Sequence, residues 1–258
     1  MPTYDRLYSD FDSDLMREIR GEAYGRDIGQ HSWVSAEELE LSMRRLELRR
    51  DSLLLDIGCG PGGPLAFVAE QIGCKGVGLD SSAEAVEAAG RRVPAGVSIL
   101  LHDANQRLPF GDHHFDAVMS IDAVLHVRDR TALFREVARV LAPSGRFWFT
   151  DAAVLSGPVS NQEIATRAPL GLTHFVPAGY NEAQLRLAGF ANVEVEDRTG
   201  SVVGNASGRL AARMRHRSEL EAVEGEHEFE SQNRYLEMVV ALANRGALER
   251  FSYLAALR

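Results

Sequence analysis

An open, doubly wound α/β sheet of seven strands is the fold class this sequence predicts, and three observations point to it. Short apolar runs and helical stretches alternate between residues 51 and 151, as they do in a parallel sheet with crossover helices. A glycine-rich turn, Gly58-Cys59-Gly60-Pro61-Gly62-Gly63, joins the first apolar run to the first helix. The chain has 258 residues, 45% of them hydrophobic. That suffices for one large domain with a covering lid and is too little for two catalytic domains.

Three parts are expected: a helical lid over 1–50, the alternating core over 51–151, and a substrate-side region over 152–258. In the lid, Tyr4, Tyr8, Phe11 and Tyr24 lie among Asp and Arg, and Ser35-Ala36-Glu37-Glu38 reads as a capping box opening a helix to about Arg49. In the core, Leu53 to Ile57 is a buried strand, followed by a helix from Gly63 to about Ile72 and a second strand from Gly76 to Asp80. Ser81-Ser82-Ala83-Glu84 caps a helix to about Arg92, and Val97 to Leu101 is the third strand. Phe115 to Ser120 is the fourth strand, Thr131 to Leu141 a helix, and Arg146 to Thr150 the fifth strand. Beyond an excursion marked by Gly157-Pro158, Pro169 and Pro177, a helix near 181–188 and a strand near 191–195 are expected. Two helical stretches then lead to a final strand, Phe251 to Ala256. The last strands complete a parallel sheet with one antiparallel edge strand, and the helices inserted before the final strand cover the mouth.

Composition excludes several classes. A net charge of −9 disfavours a nucleic-acid partner, which needs a concentrated positive face. No apolar run approaches the roughly 18–20 residues of a membrane span, and the opening Met1-Pro2-Thr3-Tyr4-Asp5 does not resemble a leader peptide. Cys59 and Cys74 make no disulfide framework, so a reducing cytoplasm is expected. No metal site is expected. Arg209, Arg213 and Arg217 recur at helical spacing and read as a solvated face rather than a clamp for an acidic substrate.

The residues that carry chemistry follow the strands. Gly58, Gly60 and Gly63 fit a dinucleotide-type turn, in which helix N–H groups face a ligand and glycine lets it approach the backbone. Asp56 stands two residues ahead of that turn, where a carboxylate is unhelpful beside pyrophosphate and suits the ammonium of a methionine moiety. Asp80, ending the second strand, can accept hydrogen bonds from ribose hydroxyls. Asp103 and Ala104 are placed to meet adenine through the carboxylate and the backbone N–H. Ser120-Ile121-Asp122-Ala123-Val124-Leu125-His126 follows the fourth strand and so lines the crevice at the carboxyl edge of the sheet. Asp122 and His126, four apart, would share a face if this segment were helical.

This ordered set resembles the class I S-adenosylmethionine-dependent methyltransferases, and within them the phosphoethanolamine and small-molecule N-methyltransferase group. Gly29-Gln30-His31-Ser32-Trp33-Val34-Ser35 and the closing Phe251-Ser252-Tyr253-Leu254-Ala255 carry the narrower likeness. It implies a Rossmann-like core, S-adenosyl-L-methionine as cofactor and S-adenosyl-L-homocysteine as product. It also implies Trp33 and Ser35 at the cofactor's carboxylate end, and His126 at the methyl acceptor as base or orienting group beside Asp122. Gly62, Ser81 and Ser120 join the expected cofactor set, and Tyr8, Tyr24, His174 and Phe175 the acceptor set. The likeness has limits. Leu15 and Met16 stand where that group carries its catalytic tyrosine, and Thr166, Leu170 and Leu172 replace its phosphate-gripping residues. A phosphoethanolamine substrate is therefore not expected. Leu170-Gly171-Leu172-Thr173-His174-Phe175-Val176-Pro177 suggests either a more apolar pocket or a packed lid with no substrate contact, and methylation of N, O or C on a small molecule in specialised metabolism is expected. A nicotinamide-dependent oxidoreductase and a non-catalytic cofactor-binding partner are the alternatives. Asp56 and the lack of a Tyr-x-x-x-Lys pair (Lys75 is the sole lysine) disfavour the first of these.

Overall fold

The computed structural model describes residue 8, residues 10–169 and residues 173–257; Tyr4, Leu170 and Leu172 lie outside them. Alternating strand residues build its centre. Leu54, Ala117, Met119, Trp148 and Leu254 point to one face, and Leu55, Val118, Phe147, Phe149 and Tyr253 point to the other. Both faces are buried, so both must be covered, which is why the strand sequences read as nearly continuous apolar runs. α2 (Ala36–Arg45) and α3 (Gly63–Ile72) cover the first face, while α5 (Arg130–Val140) and α7 (Tyr180–Leu187) cover the second.

The strands are β1 (Leu53–Ile57), β2 (Lys75–Asp80), β3 (Val97–Leu101), β4 (Phe115–Ile121), β5 (Leu141–Leu155), β7 (Phe190–Asp197) and β8 (Leu248–Leu257), with a two-residue β6 (Val176–Pro177) beside β5. Their order is β3-β2-β1-β4-β5-β8-β7. β1 to β5 pair in parallel, and β8 runs antiparallel to both β5 and β7. The predicted fold class is present, with one correction: the antiparallel strand lies one place in from the edge, and β7 forms the edge. The strand order reverses between β1 and β4, and a crevice opens there at their carboxyl ends.

Local chemistry shifts several boundaries. α2 begins with the Ser35 hydroxyl accepting from Glu38 N–H at 3.2 Å. The second half of the predicted capping box does not form, because the Glu38 carboxylate turns inward to Arg250. α2 stops at Arg45, short of Arg49, where Glu47 takes a left-handed φ of 54°. α4 (Ala83–Arg92) is capped by Ser82 rather than Ser81. β5 extends past the predicted strand at both ends: Leu141 pairs with Phe115 of β4 at the amino end, and β8 and β6 pair along the carboxyl half. Its bulge after Asp151 is held by the buried Asp151 carboxylate, which accepts from Arg130, from Asn181 Nδ2 at 2.8 Å and from Ala153 N–H at 3.0 Å.

Three helices, not two, separate β7 from β8: α8 (Thr199–Arg215), α9 (Arg217–Glu224) and α10 (Glu226–Asn244). Gly225, with φ 83° and ψ 153°, breaks the last two apart. α8 packs against α10 and against α1 (Asp14–Tyr24). That crossing needs Gly208, since a Cβ there would lie 2.6 Å from the Ala23 carbonyl oxygen. The expected lid and insertion are thus one continuous cover over the crevice. α6 (Asn161–Arg167), whose Ser160–Glu163 capping box is complete, closes one side.

Candidate functional site

A cavity of about 1010 Å³ lies under this cover, at the carboxyl ends of β1, β2, β3 and β4. It is at the upper end of the range of about 300–1,000 Å³ for small-molecule sites. Its floor is the glycine turn. Gly58 has φ +74°, and a side chain there would come within 2.4 Å of Ala123 Cβ, so only glycine lets the turn pack against the segment after β4.

The predicted carboxylates line this floor. Asp56 is buried, and its Oδ1 has no hydrogen-bond partner. Burial, reinforced by the negative charge of Asp80, pushes its pKa up to about 8. Asp80 is held by two backbone donors: Oδ2 accepts from Gly60 N–H at 2.8 Å and Oδ1 from Ser82 N–H at 3.0 Å. Asp103 accepts from Asn105 N–H at 2.9 Å and from Asn105 Nδ2 at 2.8 Å. Partial burial works against its charge, yet the Asn105 bonds hold its pKa below the ordinary value. Ala104, Ser81, Gly58 and Gly60 complete this wall; Gly62, with φ +77°, starts α3 just behind it.

Other predicted residues have different employment. Ser120 lines the cavity, but its hydroxyl donates to Ile57 carbonyl at 2.8 Å and ties β4 to β1. Ser35 is the cap of α2 and does not line the cavity. Phe175 packs into the core between α10 and β5, so the placing of Phe175 on the acceptor side is corrected. His174, Tyr8 and Tyr24 do line the cavity. The Tyr24 hydroxyl donates to Ser32 carbonyl at 2.7 Å, and burial raises its pKa. His174 is fixed by its backbone, its N–H donating to Leu125 and its carbonyl accepting from Arg130 Nη2 at 2.7 Å.

Asp122 departs most from expectation. It sits at φ +50°, and only a 3₁₀ turn, Val124–His126, follows it, so Asp122 and His126 do not share a helical face. Asp122 Oδ2 accepts from Trp33 N–H at 3.0 Å, and Oδ1 accepts from Thr150 Oγ1 at 2.9 Å and from Arg250 Nε at 2.8 Å. Arg250, fully buried on β8, also grips both oxygens of Glu38 at 2.8 and 2.9 Å. Asp122 thereby fastens the Trp33 segment, β5 and β8 together beneath the cavity. His126 lines the cavity above it.

Three cavity residues escaped the sequence reading. His31 faces Tyr8 and Phe11 edge-on at ring distances of 5.7 and 6.1 Å. Burial, then the charges of Arg209, Arg20 and His126, pulls its pKa down to about 3, so its ring is neutral. Arg209 also lines the cavity, over the Trp33 ring. Arg213 beside it is buried against Glu224 and Asn233, so Arg209 and Arg213 turn inward, while Arg217, on the next helix, stays on the solvated side with Glu221 and Glu230. Arg167, adjacent to Thr166, is the third. Helical spacing alone does not say which neighbour a charged face meets.

Comparison with known proteins adds the following. Residues 55–149 match the family described as a methyltransferase domain. The chain is 29% identical over 237 residues to a phosphoethanolamine N-methyltransferase of Triticum aestivum, covering 88% of this chain and 46% of the wheat protein. It therefore spans less than half the length of that relative. It is 29% identical over 211 residues to 27-O-demethylrifamycin SV methyltransferase of Amycolatopsis mediterranei, covering 76% of this chain and 77% of that one. Among solved structures, phosphoethanolamine N-methyltransferase 2 of Haemonchus contortus, in complex with phosphomonomethylethanolamine and S-adenosylhomocysteine, superposes with a TM-score of 0.82 at 20% identity. That match covers 98% of this chain and 60% of the nematode protein.

Proposed function

We propose that this chain, a member of the class I S-adenosylmethionine-dependent methyltransferases, moves the cofactor's methyl group onto a small molecule held in the same cavity. The observation that carries the reading is the pair Asp56 and Asp80 at the glycine turn. One is a buried carboxylate oxygen without a partner, and the other a carboxylate held for a diol by two backbone bonds. An orphaned buried acceptor is costly, and an ammonium group satisfies it. Such an acceptor set fits S-adenosylmethionine better than a pyrophosphate, which would meet two carboxylates.

When bound, the cofactor supplies a methyl group on a positively charged sulfur. The chain's own residues do the rest. Asp80 would hold the ribose, Asp103 and Ala104 the adenine, and Asp56 the methionine ammonium. The cover of α1, α8 and α10 excludes water. Alignment of two reactants in this way can lower a barrier by roughly 7–11 kcal/mol. An acceptor nitrogen or oxygen that carries a proton must lose it. His126, on the cavity wall just beyond β4, would take that proton, and neutral His31 would accept a further hydrogen bond from the acceptor. Asp122 would act by holding Trp33 and the turn before His126 in place. The Amycolatopsis relative's action on a rifamycin supports a role in natural-product biosynthesis, and the cysteine usage supports a cytoplasmic site.

Calorimetry tests this reading. S-adenosylhomocysteine should bind with one site per chain while NAD gives no heat of binding. Asp80→Ala should weaken S-adenosylhomocysteine by about 1.5–3 kcal/mol, the usual value of hydrogen bonds to a charged acceptor. Tighter binding of NAD than of S-adenosylhomocysteine would turn the reading toward an oxidoreductase.

A further inference from the structure

We infer that the methyl acceptor carries an anionic group, a carboxylate or a phosphate, which docks on Arg167 and Arg209. The inference rests on the methyltransferase reading for the word acceptor and on independent geometry for the anion.

Four buried or half-buried arginines contribute to the cavity wall around the acceptor side: Arg20, Arg167, Arg209 and Arg213. Arg20 is paired with Asp27 at 2.9 Å, and Arg213 with Glu224. Arg167 and Arg209 meet no carboxylate among the described residues. Arg167 is 5% exposed. Its two terminal nitrogens donate only to neutral oxygens, Tyr235 Oη and Ala152 carbonyl, each at 3.2 Å, and its Nε has no partner. A buried guanidinium with neutral partners and an unsatisfied donor is an incomplete arrangement. It is the more telling in a chain whose net charge is −9, where carboxylates are in excess.

The two arginines belong to one surface. Arg209 lies 5.3 Å above the Trp33 ring, Trp33 stacks on Tyr235 with centroids 6.4 Å apart, and Arg167 lies 5.4 Å over Tyr235. All four line the cavity. Ring faces attract the guanidiniums and hold them flat; an anion would meet the unpartnered Arg167 Nε and replace or share the neutral partners, Tyr235 Oη and Ala152 carbonyl on Arg167 and Tyr24 Oη on Arg209. A planar guanidinium edge matches a carboxylate or phosphate with two parallel bonds. Across the cavity, Leu15, Met16, Leu220 and Val223 offer an apolar wall, which suits the body of an organic acid or an organic phosphate.

The test uses the full chain. Calorimetry with S-adenosylhomocysteine reports the cofactor site, so failure there removes the methyltransferase reading and leaves the anion question to its own measurement. Tryptophan fluorescence then follows titration of the free and S-adenosylhomocysteine-loaded protein with sodium benzoate and, separately, with inorganic phosphate, against sodium chloride at equal ionic strength. At least one anion should give a saturable change beyond the chloride control. Arg209→Met should weaken it about tenfold or more, and Arg209→Lys should recover part of the loss. S-adenosylhomocysteine affinity should stay within about twofold in both variants. Stronger binding of benzoate assigns a carboxylic acid, and stronger binding of phosphate a phosphate ester. Arg209 is only half-buried, so its variants are better folding risks than Arg167→Met, which should behave alike if it folds. No saturable change, or equal affinity in Arg209→Met, overturns the inference. A loss of S-adenosylhomocysteine affinity in place of anion affinity also overturns it, by giving the arginines to the cofactor's own carboxylate.

Discussion

At the scale of single residues, Asp56 makes the sharpest demand. With a pKa of about 8 its carboxyl is mostly protonated at neutral pH, and an ammonium beside Oδ1 favours the ionised form. Ligand binding should therefore release a proton, and S-adenosylhomocysteine affinity should rise as pH goes from about 6 toward 8. Calorimetry in two buffers of different ionisation enthalpy would detect that proton; Asp56→Asn should abolish it. The same shift has a consequence without ligand. The folded pKa lies above the unfolded one, so this residue's contribution to stability is complete below about pH 4 and is lost as pH rises through about 8. Thermal melts of Asp56→Asn should lack that slope. For His126, replacement by alanine should lower turnover about 10²–10⁴-fold if it takes the acceptor's proton, with cofactor affinity nearly unchanged. Near-normal turnover with a lowered melting temperature would make it a packing residue. Asp56 and Asp80 were legible in the sequence because a glycine turn after a strand fixes its neighbours within a few residues. Arg167, Arg209 and His31 were not, because their partners Tyr235, Trp33 and Tyr8 are remote in sequence or on an element whose face is undetermined until it packs.

Elements explain what the sequence reading assigned to chemistry and the structure gives to architecture. Asp122 and Glu38 meet on Arg250, whose side chain is fully buried, and this joint fastens α2, β8 and the turn after β4. Removing one partner of such a joint leaves uncompensated charge. Arg250→Met should cost about 3–5 kcal/mol in denaturant unfolding, and Glu38→Gln in that background should restore part of it. Additive effects of the two substitutions would show that they are not coupled. No periodicity announces this joint, since it unites residues 38, 122 and 250 from three elements. The cover formed by α1 and α8 has a dynamic counterpart. Because Tyr24 at the end of α1 and Trp33 just beyond it line the cavity, bound S-adenosylhomocysteine should slow hydrogen exchange across residues 10–35. Equal exchange with and without the ligand would make the cover a fixed roof.

The whole molecule follows one rule of open α/β sheets: the ligand sits where the strand order turns. Here that place is the gap between β1 and β4: Asp56 and His126 stand at or past the carboxyl ends of the two flanking strands, and Asp80 and Asp103 at the same ends of β2 and β3, next in order. Alternating apolar runs and short connections made the five parallel strands readable to within a residue or two, apart from β5. The place of β8 inside β7 was not readable, because pairing order among antiparallel strands depends on the length of the three helices between them. The carboxyl half of β5 was underestimated for the same reason, since β8 lies against it, and its amino end because Leu141 leaves the preceding helix to pair with Phe115. The most direct test of the account is a crystal structure of the chain with S-adenosylhomocysteine. It should show the ribose hydroxyls on Asp80, the adenine at Asp103 and Ala104, and the amino group within hydrogen-bond distance of Asp56 Oδ1. A ligand bound away from the glycine turn, or one that leaves Asp56 Oδ1 without a partner, would contradict the account.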